Sequence, residues 1–133
     1  MKKDRIHIIK IQGYVKRVKR IYELIKDLEA EEIIEINDSY ALTQFLVNIH
    51  SLFACVTSDA IAIKQIEMGI RALDTCRNIS AHDYDSLDWN RVKQLCKKLI
   101  SERTEELLNE CYEIAKWEEE QEKDYTFPTP PSS

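Results

Sequence analysis

The sequence predicts an all-α protein, and three observations on its turn residues and apolar pattern support this class. The chain of 133 residues contains only two glycines, Gly13 and Gly69. Its three prolines, Pro128, Pro130 and Pro131, all lie at the C-terminal end. Apolar residues recur at three- and four-residue steps over long stretches, which is the spacing of one helix face. A chain so poor in turn residues is typical of helices joined by short connections.

The first half of the chain predicts two helices. Helix one is expected over residues 4–30, and its apolar stripe comprises Ile11, Tyr14, Val18, Ile21, Ile25 and Leu28. Residues 31–38 are predicted to form a linker, after which helix two is expected over about residues 40–56. The side chains suited to cap helix two are those of Asn37, Asp38 and Ser39. Its predicted core face comprises Leu42, Phe45, Leu46, Ile49 and Phe53.

The second half predicts two further helices. Helix three is expected over about residues 59–81, and a polar turn at residues 83–88 follows it. Asp88 is a suitable N-cap for helix four, which is expected to reach about Glu120. The apolar stripe of helix four comprises Trp89, Val92, Leu95, Leu99, Leu107, Cys111 and Ile114. This pattern predicts an antiparallel up-and-down bundle of four to five helices over residues 1–120. Residues 121–133 are predicted to be a disordered tail.

Charge and cysteine usage narrow the functional class. The net charge of −5 argues against indiscriminate binding of nucleic acid, but residues 1–26 carry nine Lys and Arg against two acids. Such a basic first helix could contact phosphate or an acidic partner, or be an ordinary solvated face. The four cysteines form no CxxC pair, so zinc is not expected. No apolar run of signal or membrane length is found, so a cytoplasmic protein with reduced thiols and no membrane partner is expected.

The segment best suited to chemistry is residues 77–84, Arg-Asn-Ile-Ser-Ala-His-Asp-Tyr, at the predicted end of helix three. An arginine can hold a phosphate, and a histidine can exchange a proton with a hydroxyl at neutral pH. Arg77 and His82 together suit RNA cleavage by the ribose 2′-hydroxyl, which needs no metal or other cofactor. On an ideal helix the two side chains point about 140° apart. They converge only if the helix ends before His82, or if a second copy completes the site.

The order of residues around this segment resembles that of a known family. The chain has Arg77-Asn78, then Ala81-His82-x-Tyr84, an aspartate-containing turn and a helix that opens Asp88-Trp89. This resembles the HEPN superfamily, and within it the HepT-like toxin branch with its Arg-x4-His-x-Tyr signature. The likeness is strongest over residues 73–100, and at the level of the fold it covers roughly residues 4–115. The resemblance implies a homodimeric, metal-independent endoribonuclease whose paired motifs line the dimer cleft.

The resemblance also implies roles for single residues and a partner. Arg77 and His82 would be the catalytic pair, and Asn78 a supporting polar residue beside them. Such toxins are usually encoded with a minimal nucleotidyltransferase antitoxin, which transfers AMP from ATP to the motif tyrosine, here Tyr84. This AMPylation blocks the RNA cleft with bulk and negative charge. His50, on predicted helix two, is a second imidazole that could face the cleft or be structural.

Two other functions are compatible with the sequence. The chain could be a non-catalytic nucleotide- or substrate-binding subunit that partners a nucleotidyltransferase, with the motif binding nucleotide or phosphate. It could also be a helical interaction protein in which His82 only caps a helix end. The remaining histidine, His7, is expected to be exposed on helix one.

Overall fold

The computed structural model describes residues 4–57, 64 and 87–126 of the chain. Five helices are found in these residues, and no strand is found among them. The helices are α1 (Asp4–Ile25), α2 (Ala30–Ile33), α3 (Asn37–Cys55), α4 (Trp89–Leu99) and α5 (Glu102–Thr126). The predicted all-α class is therefore confirmed over the described residues. None of these five helices combines the length and the apolar character that crossing a membrane would require.

One apolar core receives side chains from all five helices. Its largest fully buried members are Phe53, Ile8, Ile11, Ile25, Ile33, Leu42, Leu46, Ile49, Leu107 and Leu108. Each such side chain contributes roughly 1.5–3 kcal/mol by leaving water, so the apolar stripes are what hold the helices together. The described parts of the predicted stripes are mostly buried, whereas Tyr14, Leu28, Phe45 and Ile114 are only partly buried. Among the described cysteines, Cys96 and Cys111 are buried and Cys55 is exposed.

The first helix ends earlier than its apolar pattern predicts. α1 stops at Ile25, and the short helix α2 lies partly within the stretch that we predicted to be a linker. The backbone N–H of Glu29 donates to Oε1 of Glu32 at 3.2 Å, which is one arm of a capping box. The Lys93 ammonium donates to the carbonyl of Leu28, so α4 holds the bend between α1 and α2 in place.

The start of α3 also differs from the prediction. α3 begins at Asn37 instead of Tyr40, and its N-cap is Ile36, which supplies no side-chain cap. The expectation that Asn37, Asp38 or Ser39 caps this helix is therefore wrong, because all three lie within its first turn. Ser39 is buried, and its hydroxyl is satisfied by a hydrogen bond to the carbonyl of Ile36 at 2.6 Å.

Predicted helix four is in fact two helices. Asp88 caps α4 as predicted, since its Oδ1 accepts the N–H of Arg91 at 3.3 Å. The helix then breaks after Leu99, and Ser101 caps α5 by accepting the N–H of Thr104 at 3.3 Å. The Thr104 hydroxyl donates to the carbonyl of Lys98 at 2.7 Å, which ties the two helix ends together.

The C-terminal helix is longer than predicted. α5 continues to Thr126 instead of ending near Glu120. Residues 121–126 are helical because glutamate, lysine and glutamine favour helix and the first proline comes only at position 128. The rest of the predicted tail, residues 127–133, lies outside the described residues, and so does predicted helix three apart from Lys64.

Candidate functional site

All four residues of the predicted site, Arg77, Asn78, His82 and Tyr84, lie outside the described residues. The convergence of Arg77 with His82 therefore stays a prediction. The described residues show instead how the chain is held just before residue 58 and just after residue 86, on either side of the part that contains the motif.

The last described residue before position 58, Thr57, is bound by a buried carboxylate. Asp4, the first residue of α1, is 3% exposed. Its Oδ1 accepts the backbone N–H of Thr57 at 2.9 Å, and its carboxylate also accepts the Thr57 hydroxyl at 3.2 Å. A buried carboxylate needs such donors, and the first turn of a helix favours its negative charge. The pair joins the start of α1 to the chain just beyond α3, two residues past the end of that helix.

Contacts are also found at Lys64 and after residue 86. Lys64 forms an ion pair of 3.0 Å with Glu110 of α5. After residue 86, the Asp88 side chain caps α4, and the neighbouring Trp89 is 2% exposed in the core. Sequence reasoning identified the cap at Asp88 but missed the anchor at Asp4. The available signal was the spacing of Asp4, four residues before Ile8, which places it on the buried stripe of α1.

An open hollow of about 490 Å³ lies on α4 directly after the motif in the chain. Its lining residues are Asp88, Asn90, Arg91, Gln94, Leu95 and Lys98. Two cations and two amides on one exposed face can bind phosphate or carbonyl oxygens. In the sequence this face begins four residues after Tyr84, at Asp88.

Of the two described histidines, His7 is placed differently from the expectation. His7 is half-buried instead of exposed, and its Nδ1 has no hydrogen-bond partner within the described ranges. His50 is also half-buried, on α3 next to the core face. In the described part of the chain, no group of three or more His, Cys, Asp or Glu side chains is arranged to hold a metal ion.

Comparisons of the chain with protein-family models, with curated proteins and with solved structures find no match. The likeness to the HEPN superfamily therefore depends on the motif at residues 77–84 and on the helices that flank it.

Proposed function

We propose that this chain is the toxin of a toxin–antitoxin pair, a cytoplasmic, metal-independent endoribonuclease of the HepT-like type. The observation that carries the proposal is the Arg-x4-His-x-Tyr spacing of Arg77, His82 and Tyr84, directly before the capped helix α4. The all-helical frame supports it, because the chain is held just before residue 58 by the bond from Thr57 to Asp4 and just after residue 86 by the buried Trp89.

The reaction follows from the two side chains. His82 takes the proton of a ribose 2′-hydroxyl, and the 2′-oxygen forms a bond to the adjacent phosphorus. The bond from phosphorus to the 5′-oxygen breaks, and the departing oxygen takes a proton from water. Arg77 offsets the charge that builds up on the phosphate oxygens. The products are a 2′,3′-cyclic phosphate and a 5′-hydroxyl, and Asn78 supports the pair as a hydrogen-bonding neighbour.

The proposal includes an antiparallel bundle and a homodimer. Asp4 of α1 contacts Thr57 beyond the end of α3, and Tyr14 packs on Phe45 with ring centroids 5.6 Å apart. Gln12 of α1 donates to Asn109 of α5 at 3.0 Å, and Arg5 pairs with Glu119 at 3.3 Å. These contacts support opposite directions for α1 relative to both α3 and α5. The dimer brings Arg77 of one copy to His82 of the other, which overcomes their divergence on one helix.

A minimal nucleotidyltransferase antitoxin completes the proposed system by AMPylation of Tyr84. The added phosphate carries negative charge, which repels the RNA backbone from the site. The second candidate function is a non-catalytic nucleotide-binding subunit of such a transferase. The net charge of −5 favours this alternative, since RNA is itself a polyanion.

The test is RNA cleavage in EDTA by purified protein whose intact mass shows no added AMP. Wild type should cleave and leave cyclic phosphate ends, whereas Arg77→Ala and His82→Ala should lose roughly 10²-fold or more of the rate. His7→Ala, on α1, is the control for the loss of an imidazole outside the motif. If wild type and His82→Ala are equally inactive while nucleotide binds in calorimetry, the binding-subunit function replaces the ribonuclease.

A further inference from the structure

The outer face of α1 carries four exposed cations within five residues: Lys16, Arg17, Lys19 and Arg20. These four residues are here called the basic ridge. None of them forms an ion pair with another described residue. By contrast, Arg5 pairs with Glu119 at 3.3 Å and Lys26 pairs with Glu23 at 2.7 Å. The hydrogen bond from Lys26 to Glu23, with the charge of Glu23, raises the pKa of Lys26. Some cations of the described surface are thus paired with acids, whereas the four cations of the ridge, which lie side by side, are not.

One member of the ridge is held in place by aromatic rings. The guanidinium carbon of Arg17 lies 5.5 Å from the ring centre of Tyr14 and 5.7 Å from that of Phe45. A stacked guanidinium keeps its N–H edges available for oxygen acceptors and has less freedom to lose on binding. Arg17 is therefore oriented for an anion before any ligand arrives.

The ridge stands between two shallow grooves. On the α3 side, a groove of about 420 Å³ is bordered by Arg17 and Arg20, with one acid, Asp38, on the opposite wall. On the side of the α4–α5 corner, a groove of about 360 Å³ is bordered by Lys16 and Lys19, with one acid, Glu105, from α5. An extended chain laid over α1 would meet cations on both sides of the helix. A ligand can also come close to α1 at Gly13, one turn before the ridge, because a Cβ atom at that position would meet nothing within 4 Å.

We propose that the basic ridge binds the phosphate backbone of the RNA substrate, away from the cleavage motif. This inference rests on the proposed ribonuclease function, which makes RNA the ligand. Charge complementarity carries it, because a concentrated positive face attracts a polyanion even on a chain of net charge −5. From Lys10, which is also exposed, to Arg20, α1 rises about 15 Å, the length of roughly four phosphates of a stacked strand.

The composition of the ridge favours RNA over an acidic protein segment. Val18 is fully buried, so no apolar side chain is exposed between the four cations. A protein interface is centred on apolar and aromatic residues, with charge at its rim. Of the exposed apolar side chains of α1, Ile6 and Ile9 lie more than one turn before the ridge, and Leu24 lies one turn after Arg20, at the edge of the α3-side groove. Contacts to phosphate need only the cations.

The test measures binding of a labelled 2′-O-methyl oligouridylate of about 12 nucleotides, within the usual range of single-strand sites. This probe cannot be cleaved through its 2′-oxygen, so binding is measured on the otherwise intact protein. Lys16→Gln with Arg20→Gln removes two charges, and glutamine keeps the helix propensity. Lys97→Gln with Lys116→Gln is the control, since it removes two exposed charges from α4 and α5. Helix content by circular dichroism confirms that both variants are folded.

The ridge variant should bind about tenfold more weakly than wild type at low salt. Its plot of log affinity against log salt should be shallower by about 1.4, at roughly 0.7 for each lost phosphate contact. The control should match wild type. A ridge variant with wild-type affinity and salt slope overturns the inference and leaves an acidic protein segment as the candidate occupant.

Cleavage of ordinary RNA, measured in parallel, separates this inference from the proposed function. If wild type cleaves RNA and the ridge variant binds the probe as tightly as wild type, only the ridge inference is wrong. If the ridge variant binds more weakly but wild type does not cleave RNA, the ribonuclease proposal is wrong and the ridge remains an RNA-binding face.

Discussion

At the scale of the residue, the contact that matters most for the candidate site is that between Asp4 and Thr57. Asp4→Ala removes the acceptor of the Thr57 N–H and leaves that donor unsatisfied, which should lower the free energy of unfolding by about 1–3 kcal/mol. Urea denaturation measures this change. The control is Asp27→Ala, which alters an exposed acid in a turn and should stay within about 0.5 kcal/mol of wild type. Equal stability of the two variants would contradict an anchoring role for Asp4.

At the scale of the element, the corner between α4 and α5 depends on one serine. Ser101 Oγ accepts the N–H of Thr104 at 3.3 Å and donates to the carbonyl of Lys98 at 2.9 Å. Ser101→Ala should therefore cost about 1 kcal/mol, the usual loss for an N-cap, and Ser101→Asp should recover most of it. Thermal and urea unfolding report the change. Ser51→Ala, at an exposed position inside α3, is the matched control and should change stability by less than about 0.5 kcal/mol. Indistinguishable unfolding of Ser101→Ala and wild type would show that the corner does not need the cap.

The same corner shows what the sequence can predict about elements. The apolar stripe continues from Leu99 to Leu107 across the break, so periodicity alone predicts one helix where there are two. The stripe identifies the buried face correctly, because burial of apolar area dominates packing. Helix ends depend on single hydrogen bonds, such as those of Ser101 and Glu29. A single hydrogen bond leaves little trace in the periodicity of apolar residues, so the sequence pattern does not locate helix ends well. For this reason the core residues were predictable and the ends of α1, α3 and α5 were not.

At the scale of the whole molecule, sequence reasoning identified the candidate motif from residue types and spacing alone. The spacing shows which side chains occur at residues 77–84. Whether Arg77 and His82 come close together depends on where a helix ends or on a second copy of the chain. A helical register places Arg77 and His82 about 140° apart, so only tertiary or quaternary contacts can bring them together. The buried anchor at Asp4 was missed for a related reason, since its partner Thr57 is 53 residues away in the chain.

The proposed shared site makes a prediction that only the assembled molecule can answer. Arg77→Ala and His82→Ala should each be inactive as homodimers, because each lacks one member of the proposed catalytic pair. In a mixed dimer, the intact Arg77 of one copy faces the intact His82 of the other, and the second site lacks both residues. Random mixing makes about half of the dimers mixed, so co-expression should restore about a quarter of wild-type cleavage. The measurement is RNA cleavage by the co-purified variants, with a double variant, Arg77→Ala with His82→Ala, co-expressed with each single variant as the inactive control. If Arg77 and His82 of one chain act together instead, no mixture of the single variants recovers activity, and the dimer is not what assembles the site.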